Sequence, residues 1–328
     1  GKSSLAVFLD ALCGSENATA YQKAIALLED HDPETAQSLP AARTAMGVPR
    51  SGMARAVVTA PEREAVAATV LRALSNATTT YRSTKELRER VEGALARALD
   101  DKLATPSYHE IRELIEEITA KRPLLLVIDE FGKNLEAYGD SGADGDMYLM
   151  QELAEWASTG GGSIPMVLVT IQHLAFEAYA ASASAAKRRE WAKVQGRFED
   201  VPYVDSAAAT RSLIGDALDH GSDLLFEHAR RQAAVAAVKG AEEAGLAEVA
   251  SRDLVAACWP LHPSPLLVLP ELCARFGQNE RTLFSFLASP EPLSVSTWLN
   301  AHEADALDWI RLDRVYDYFV ESASNYLA

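Results

Sequence analysis

At 328 residues, 48% of them hydrophobic, the chain is long for one compact unit and predicts two, each with a substantial core. A formal net charge of −16 argues against a surface that binds nucleic acid by bulk electrostatics, although it leaves room for a local basic groove. The three cysteines lack CxxC spacing, which predicts a reduced, cytoplasmic protein with ordinary thiols. No apolar run approaches the ~20 residues of a membrane span, so we predict no membrane segment.

The chain begins with Gly1-Lys2-Ser3-Ser4, which matches the closing GK[ST] of the phosphate-binding loop G-x-x-x-x-G-K-[ST]. A predicted helix follows, with four apolar residues on one face: Leu5, Phe8, Leu9 and Leu12. In such a loop, backbone N–H groups at the helix start bind phosphate, the lysine neutralises the β and γ oxygens, and the hydroxyl ligates a metal ion. These four residues are therefore candidate nucleotide ligands, with Ser3 also a metal ligand.

The next part of the chain alternates helices and strands. Residues from about 14 to 52 are polar and predict a helical insertion after the first helix. A β-branched strand is predicted over Ala54–Ala60, closed by Pro61, and three helices follow it: Glu62–Leu74, Lys85–Leu99 and Tyr108–Lys121. This alternation predicts a parallel, doubly wound sheet.

The most informative stretch is RPLLLVIDEFGKN, residues 122–134. Five consecutive apolar residues, Leu124 to Ile128, predict a strand buried on both faces. It ends in Asp129-Glu130, at the edge where open α/β sheets bind ligands. We interpret Asp129 as holding Mg²⁺, directly or through water, and Glu130 as polarising an attacking water. The alternative is that the acids only mark the return of the chain to solvent.

Beyond this strand, Glu136–Asp146 predicts a mobile acidic loop, without the ligand spacing of a calcium-binding loop. A helix over Met147–Ser158 places four residues at core spacing: Met147, Met150, Leu153 and Trp156. The next buried strand, Ile164–His173, ends in polar residues that include Gln172. A short strand, Val201–Val204, is predicted to close the sheet.

From Ser206 the sequence predicts helices without strands, so we place a domain boundary between residues 205 and 206. The last segment, LDWIRLDRVYDYFVESASNYL, is predicted to be another amphipathic helix.

The GKSS and LLLVIDE motifs together resemble the P-loop ATPases with an additional catalytic glutamate, the AAA+ and STAND type. The resemblance implies an α/β fold, with a doubly wound, mainly parallel P-loop NTPase sheet over 1–205 followed by an all-helical lid over 206–328. It also implies that the first strand, which would precede Lys2, is missing from this chain. ATP and Mg²⁺ are the implied ligands. Gln172 or His173 resembles the residue that orients the lytic water and senses the γ-phosphate. The alternative is that these polar residues only mark the end of a strand that meets solvent.

Three arginines acquire roles through this resemblance. The stretch GRFED is similar to the GRFD of AAA proteins, which makes Arg197 a candidate arginine finger that reaches the nucleotide of a neighbouring subunit in a homo-oligomer. The alternative is an ion pair with Glu199 or Asp200. A lid needs an arginine that reaches the γ-phosphate, and Arg281 is the candidate, with Arg275 behind it. Both also fit ordinary surface arginines.

Three functions remain open from the sequence. The first is an ATPase that couples nucleotide state to action on a protein or DNA partner. The second is a nucleotide-gated, oligomerising scaffold with little turnover, and the third is a helical interaction module without catalysis. Four stretches, VTAPEREAVAATVLRAL, IDEFGKNLE, QGRFED and GQNERTLFSFL, also resemble large bacterial ATPases of antiphage-defence islands.

Overall fold

A computed structural model describes the backbone of residues 2–81, 83–100, 102–141, 144–158, 165–173, 185–201, 206–246, 250–276, 280–302 and 307–326. Side chains are described for the same residues except 138–141, 144–146, 185–187, 190, 274–276, 280–282 and 321–326. The chain forms two compact units, Gly1–Val201 and Pro202–Ala328. The predicted boundary at 205/206 lies close to the observed one.

The first unit is mixed α/β and mostly helical. Its described elements are, in chain order, α1 (Lys2–Leu12), α2 (Thr19–His31), α3 (Pro33–Ala45), β1 (Ala54–Thr59), α4 (Val66–Thr80), α5 (Lys85–Ala98), α6 (Tyr108–Thr119), β2 (Leu124–Asp129), α7 (Gly132–Ser141), α8 (Asp144–Ser158), β3 (Met166–Thr170) and α9 (Ala185–Gln195). The predicted strand over Val201–Val204 falls mainly on residues outside the described ranges.

The described strands form one small parallel sheet in the order β1-β2-β3. Val58 pairs with Ile128, and Ile128 pairs with Thr170, so the three strands end at the same edge. The central strand β2 is buried along its apolar length, as the sequence predicts. Because parallel strands are covered by their crossover helices on both faces, a continuous apolar run is the expected pattern for β2.

Helices cover both faces of this sheet. Leu124, Leu126 and Ile128 belong to a large core with α4, α6 and α8. The alternate residues of β2, Leu125 and Val127, face the other way and share a smaller core with α1. This division follows from the two-residue period of a strand.

The face of α1 that packs on the sheet differs from the predicted one. Ala6, which was not among the predicted contacts, is buried against β2, whereas Leu5 is 37% exposed. Only Leu12 of the predicted four is fully buried. The small side chain of Ala6 allows α1 to approach the sheet closely, which a pattern of large apolar residues does not reveal.

The helical insertion starts and ends at a crossing of two glycines. Gly52 has φ +85°, and a Cβ on it would lie 2.5 Å from the carbonyl carbon of Gly14. Backbone hydrogen bonds join the two chain segments that meet at this crossing. Met53 N donates to Cys13 O and Glu16 N donates to Arg50 O, both at 2.9 Å. The segment that contains α2 and α3 is thus closed at its base by residues 14 and 52.

The insertion also stabilises the end of α1. Arg43 is buried, and its Nη1 donates to Leu12 O at 2.6 Å while its Nη2 donates to Gly14 O at 3.3 Å. A cation at a helix C-terminus satisfies carbonyls that lack helical partners and interacts favourably with the helix dipole. The position of α1 therefore depends on α3.

The prediction of a mobile loop over Glu136–Asp146 is wrong. α7 extends to Ser141 and α8 begins at Asp144. Phe131 and Leu135, four residues apart, are fully buried in the main core and anchor the first turn of α7. The glycines and aspartates that follow have low helix propensity, and tertiary packing outweighs it here.

Other predicted elements are confirmed with shifted limits. The four predicted core residues of α8 are all buried: Met147, Met150, Leu153 and Trp156. α4 begins at Val66 rather than Glu62, because Arg63 adopts a left-handed conformation with φ 57° and interrupts the helix. β3 is described over Met166–Thr170, inside the predicted range.

The second unit is helical in its described part. Its elements are α10 (Ala207–Ala217), α11 (Leu224–Glu243), α12 (Arg252–Ala257), α13 (Pro263–Phe276), α14 (Glu280–Ala288), α15 (Val295–Ala301) and α16 (Leu312–Tyr326). Burial raises the pKa of Cys258 to about 12 and that of Cys273 to about 11, so both thiols remain protonated at neutral pH. Among the residues described in either unit, no helix has the length and apolar character needed to cross a membrane.

Candidate functional site

The backbone joins the ends of the three strands into one edge. Ala60 N donates to Asp129 O at 2.8 Å, and Ile171 N donates to Ile128 O at 2.9 Å. Phe131 N then donates to Ile171 O at 2.9 Å, so the segments that leave β2 and β3 remain paired beyond the sheet. Glu130 follows β2 directly before Phe131, and Gln172 follows Ile171, so two of the predicted catalytic residues, Glu130 and Gln172, lie at the same edge.

Lys2 contacts the same edge from the start of α1. Its Nζ donates to Gln172 O at 2.9 Å and lies 3.5 Å from His173 O. The start of α1 and the end of β3, 170 positions apart in the sequence, therefore meet in space. Ser3 and Ser4 follow on the exposed first turn of α1, and Gly1 lies outside the described residues.

Glu130 occupies a strained backbone position. Its φ is 55°, in the left-handed region that costs a residue with a side chain about 1–2 kcal/mol. Its N–H donates to Asp129 Oδ1 at 2.9 Å, and its carboxylate forms an ion pair with Lys133. The hydrogen bond that Lys133 donates to Glu130 is the largest cause that raises the pKa of Lys133.

Gln172 carries an unsatisfied buried atom. Its Oε1 is buried and has no hydrogen-bond partner, although its backbone carbonyl accepts from Lys2. A buried amide oxygen without a donor costs about 1–3 kcal/mol, and this oxygen is an acceptor that a water or ligand group could satisfy. The neighbouring His173 is exposed.

The donor set at this edge suits Mg²⁺. Asp129 offers a half-buried carboxylate and Ser3 an exposed hydroxyl, and oxygen atoms are the ligands that this ion prefers. The orphaned Gln172 Oε1 adds an acceptor for a metal-bound or attacking water. Within the described part of the chain, no group of three or more His, Cys, Asp or Glu side chains is arranged to hold a metal. Mg²⁺ usually keeps several waters and takes its remaining ligands from substrate phosphates, so two protein ligands are sufficient.

Arg197 is engaged within its own chain, but with a partner other than those expected. Its Nε donates to Glu155 Oε1 of α8 at 2.6 Å, and its Nη1 donates to Lys193 O at 2.6 Å. The predicted alternative partners were Glu199 and Asp200. Arg275 and Arg281 lie on α13 and α14, and their side chains fall outside the described ranges.

Sequence reasoning missed a buried polar network beneath the strained turn. Asn134 is 1% exposed, and its Nδ2 donates to Glu64 O and to Thr69 Oγ1, both at 2.8 Å. Thr69 Oγ1 in turn donates to Glu64 Oε2 at 2.9 Å, and Arg72 forms an ion pair with Glu64. The network ties the first turn of α7 to the loop after β1. The sequence feature that could have indicated this network is the position of Asn134, one helical turn after Glu130.

Comparisons with protein-family models, with curated proteins and with solved structures find no match to this chain.

Proposed function

We propose that this chain binds and hydrolyses Mg-ATP as a P-loop ATPase of the AAA+ or STAND type, and couples nucleotide state to action on a protein or DNA partner. The observation that carries the proposal is the contact of Lys2 with the end of β3, beside the acidic end of β2. It brings a phosphate-binding lysine, a metal-binding carboxylate and a water-polarising carboxylate to one edge of a parallel sheet. This edge is where α/β sheets bind ligands.

The finer fold in the proposal is a doubly wound P-loop sheet. The contact between Lys2 and Gln172 O supports it, because it holds the start of α1 at the end of β3, the edge where such sheets bind phosphate. The helical second unit would then serve as the lid.

Each residue has a defined task in the proposed reaction. Lys2 exchanges the Gln172 and His173 carbonyls for phosphate oxygens and neutralises their charge. Ser3 and Asp129 would hold Mg²⁺, which when bound stabilises the charge that develops on the phosphates. Glu130 polarises the attacking water and Gln172 orients it through the unsatisfied Oε1.

Steady-state ATP hydrolysis with and without DNA tests this proposal in the full-length protein. A partner-coupled ATPase is expected to turn over Mg-ATP and to change its rate severalfold when its partner is present. Loss of turnover on chelation of Mg²⁺ is also expected, since Asp129 and Ser3 have no catalytic use without it. A protein that binds ATP but does not turn it over under any of these conditions contradicts the ATPase proposal.

A nucleotide-gated scaffold with little turnover is the second candidate. The observation that favours it is the engagement of key cations in internal contacts: Lys2 with strand-end carbonyls and Arg197 with Glu155. Both contacts must break before these residues reach phosphate. If these internal contacts are replaced by phosphate contacts only when subunits assemble, the protein would bind ATP, oligomerise and hydrolyse ATP slowly.

Arg197→Ala tests the proposed homo-oligomer. As a finger acting between subunits, Arg197 contacts only the transferring phosphoryl group, so the variant should bind ATP nearly normally and hydrolyse it at least ~10³-fold more slowly. Mixing it with Glu130→Gln should restore part of the activity, because each subunit supplies the group that the other lacks. Glu155→Gln, which removes only the internal partner, is the matched control and should retain turnover. Absence of rescue in a mixture that co-assembles would leave Arg197 as a local ion pair.

A further inference from the structure

Lys133 lies beside the proposed water-polarising carboxylate without having a role in the proposed reaction. Its ammonium forms an ion pair with Glu130 Oε2, and the two side chains are 35% and 34% exposed. Glu62, in the loop after β1, and Glu136, on α7, attract the same ammonium and contribute to its raised pKa. Three carboxylates thus act on the Lys133 ammonium, and Glu130 is the one that it contacts directly.

The position is electrostatically unfavourable for a lysine unless the acids hold it. Lys133 is in the first turn of α7, and the N-terminus of a helix repels cations. Its N–H donates to Glu130 O at 3.0 Å, so the backbone and the side chain of Lys133 both contact Glu130. These two contacts define one compact turn.

Two separate sets of contacts fix this turn. Asn134, through its bonds to Glu64 and Thr69, holds the backbone from the buried side. Lys133 holds the carboxylate of Glu130 from the solvent side, by one of its two oxygens. Because a glutamate has three side-chain torsions and this one is partly exposed, backbone contacts alone leave its carboxylate free to rotate.

We propose that Lys133 is the positioning residue for Glu130, and this inference rests on the proposed ATPase function. By fixing Oε2, Lys133 presents the remaining oxygen, Oε1, to the attacking water. General-base catalysis requires the carboxylate within hydrogen-bond reach of that water, so orientation affects turnover more than nucleotide binding. Lys133 itself contacts neither substrate nor metal in this account.

Substitution of Lys133 separates positioning from a structural role. In the full-length protein, Lys133→Met should lower kcat for ATP hydrolysis by about tenfold, a part of the roughly 10²- to 10⁴-fold that general-base catalysis contributes, and leave KM within about twofold. Lys133→Arg keeps a cation on Glu130 and should retain most of the turnover. Lys85→Met is the control, since Lys85 is a more exposed lysine paired with Glu89 on α5. It should behave like wild type.

The Glu130→Gln background completes the test. There the carboxylate is already lost, so adding Lys133→Met should produce no further decrease in turnover. Wild-type kcat in Lys133→Met would overturn the positioning role, as would a raised KM with unchanged kcat, which would place Lys133 on the nucleotide. A wild-type rate in Glu130→Gln alone would instead overturn the proposed function, so the two failures are distinguishable.

Discussion

Gly52→Ala is expected to destabilise the first unit by about 2–5 kcal/mol. The φ of +85° imposes a left-handed conformation that costs an alanine about 1–2 kcal/mol. The added Cβ also meets Gly14 C at 2.5 Å and Gly14 O at 2.7 Å, which forces the two limbs of the insertion apart. Overpacking against backbone costs about a further 1–3 kcal/mol, since backbone atoms cannot change rotamer to make room.

Gly47→Ala is the matched control for this prediction. Gly47 also has a positive φ, +69°, but a Cβ there would have no neighbour within 4 Å. The Gly47→Ala variant should be destabilised only by the cost of the left-handed conformation, about 1–2 kcal/mol. Denaturant unfolding gives the free energy of unfolding of each variant. We attribute the difference between the two values to the Gly14–Gly52 crossing. Equal midpoints for the two variants would mean that the insertion is not closed at this crossing.

The sheet was predictable because its signals are local. A run of five buried apolar residues has few structural solutions, and β2 forms where the sequence places it. The strand over Ala54–Thr59 is similarly marked by β-branched residues. The helix α7 was not predictable from its glycines and aspartates, because the burial of Phe131 and Leu135 decides it. Local propensity fails where tertiary packing supplies the larger free energy.

The contacts of the candidate site were less predictable than its members. Lys2, Asp129, Glu130 and Gln172 are recognisable from motifs, and the structure places them at one edge. Their internal partners depend on distances between remote segments. Arg197 pairs with Glu155, 42 positions away, rather than with the adjacent acids that the sequence suggests. Lys133 was visible in the sequence, but only the left-handed turn at Glu130 brings its ammonium onto that carboxylate.

Glu130→Gln is expected to keep Mg-ATP binding and to lose turnover by at least ~10²-fold. The substitution preserves the size of the side chain and removes the carboxylate that polarises the water. Glu136→Gln, an exposed acid that also lies near Lys133, is the matched control and should retain wild-type turnover. A wild-type rate in Glu130→Gln would contradict the catalytic assignment.

Lys2→Ala should have the opposite effect, because Lys2 acts on phosphate in the ground state. A charge-assisted bond contributes about 1.5–3 kcal/mol, which corresponds to a loss of about 10- to 100-fold in affinity. The most direct test of the account is therefore Mg-ATP binding by titration calorimetry in the full-length wild type, Glu130→Gln and Lys2→Ala. Similar affinity is expected for the wild type and Glu130→Gln, and an affinity about 10- to 100-fold lower for Lys2→Ala. Equal affinity in all three proteins, or no binding by the wild type, would contradict a nucleotide site at this edge of the sheet.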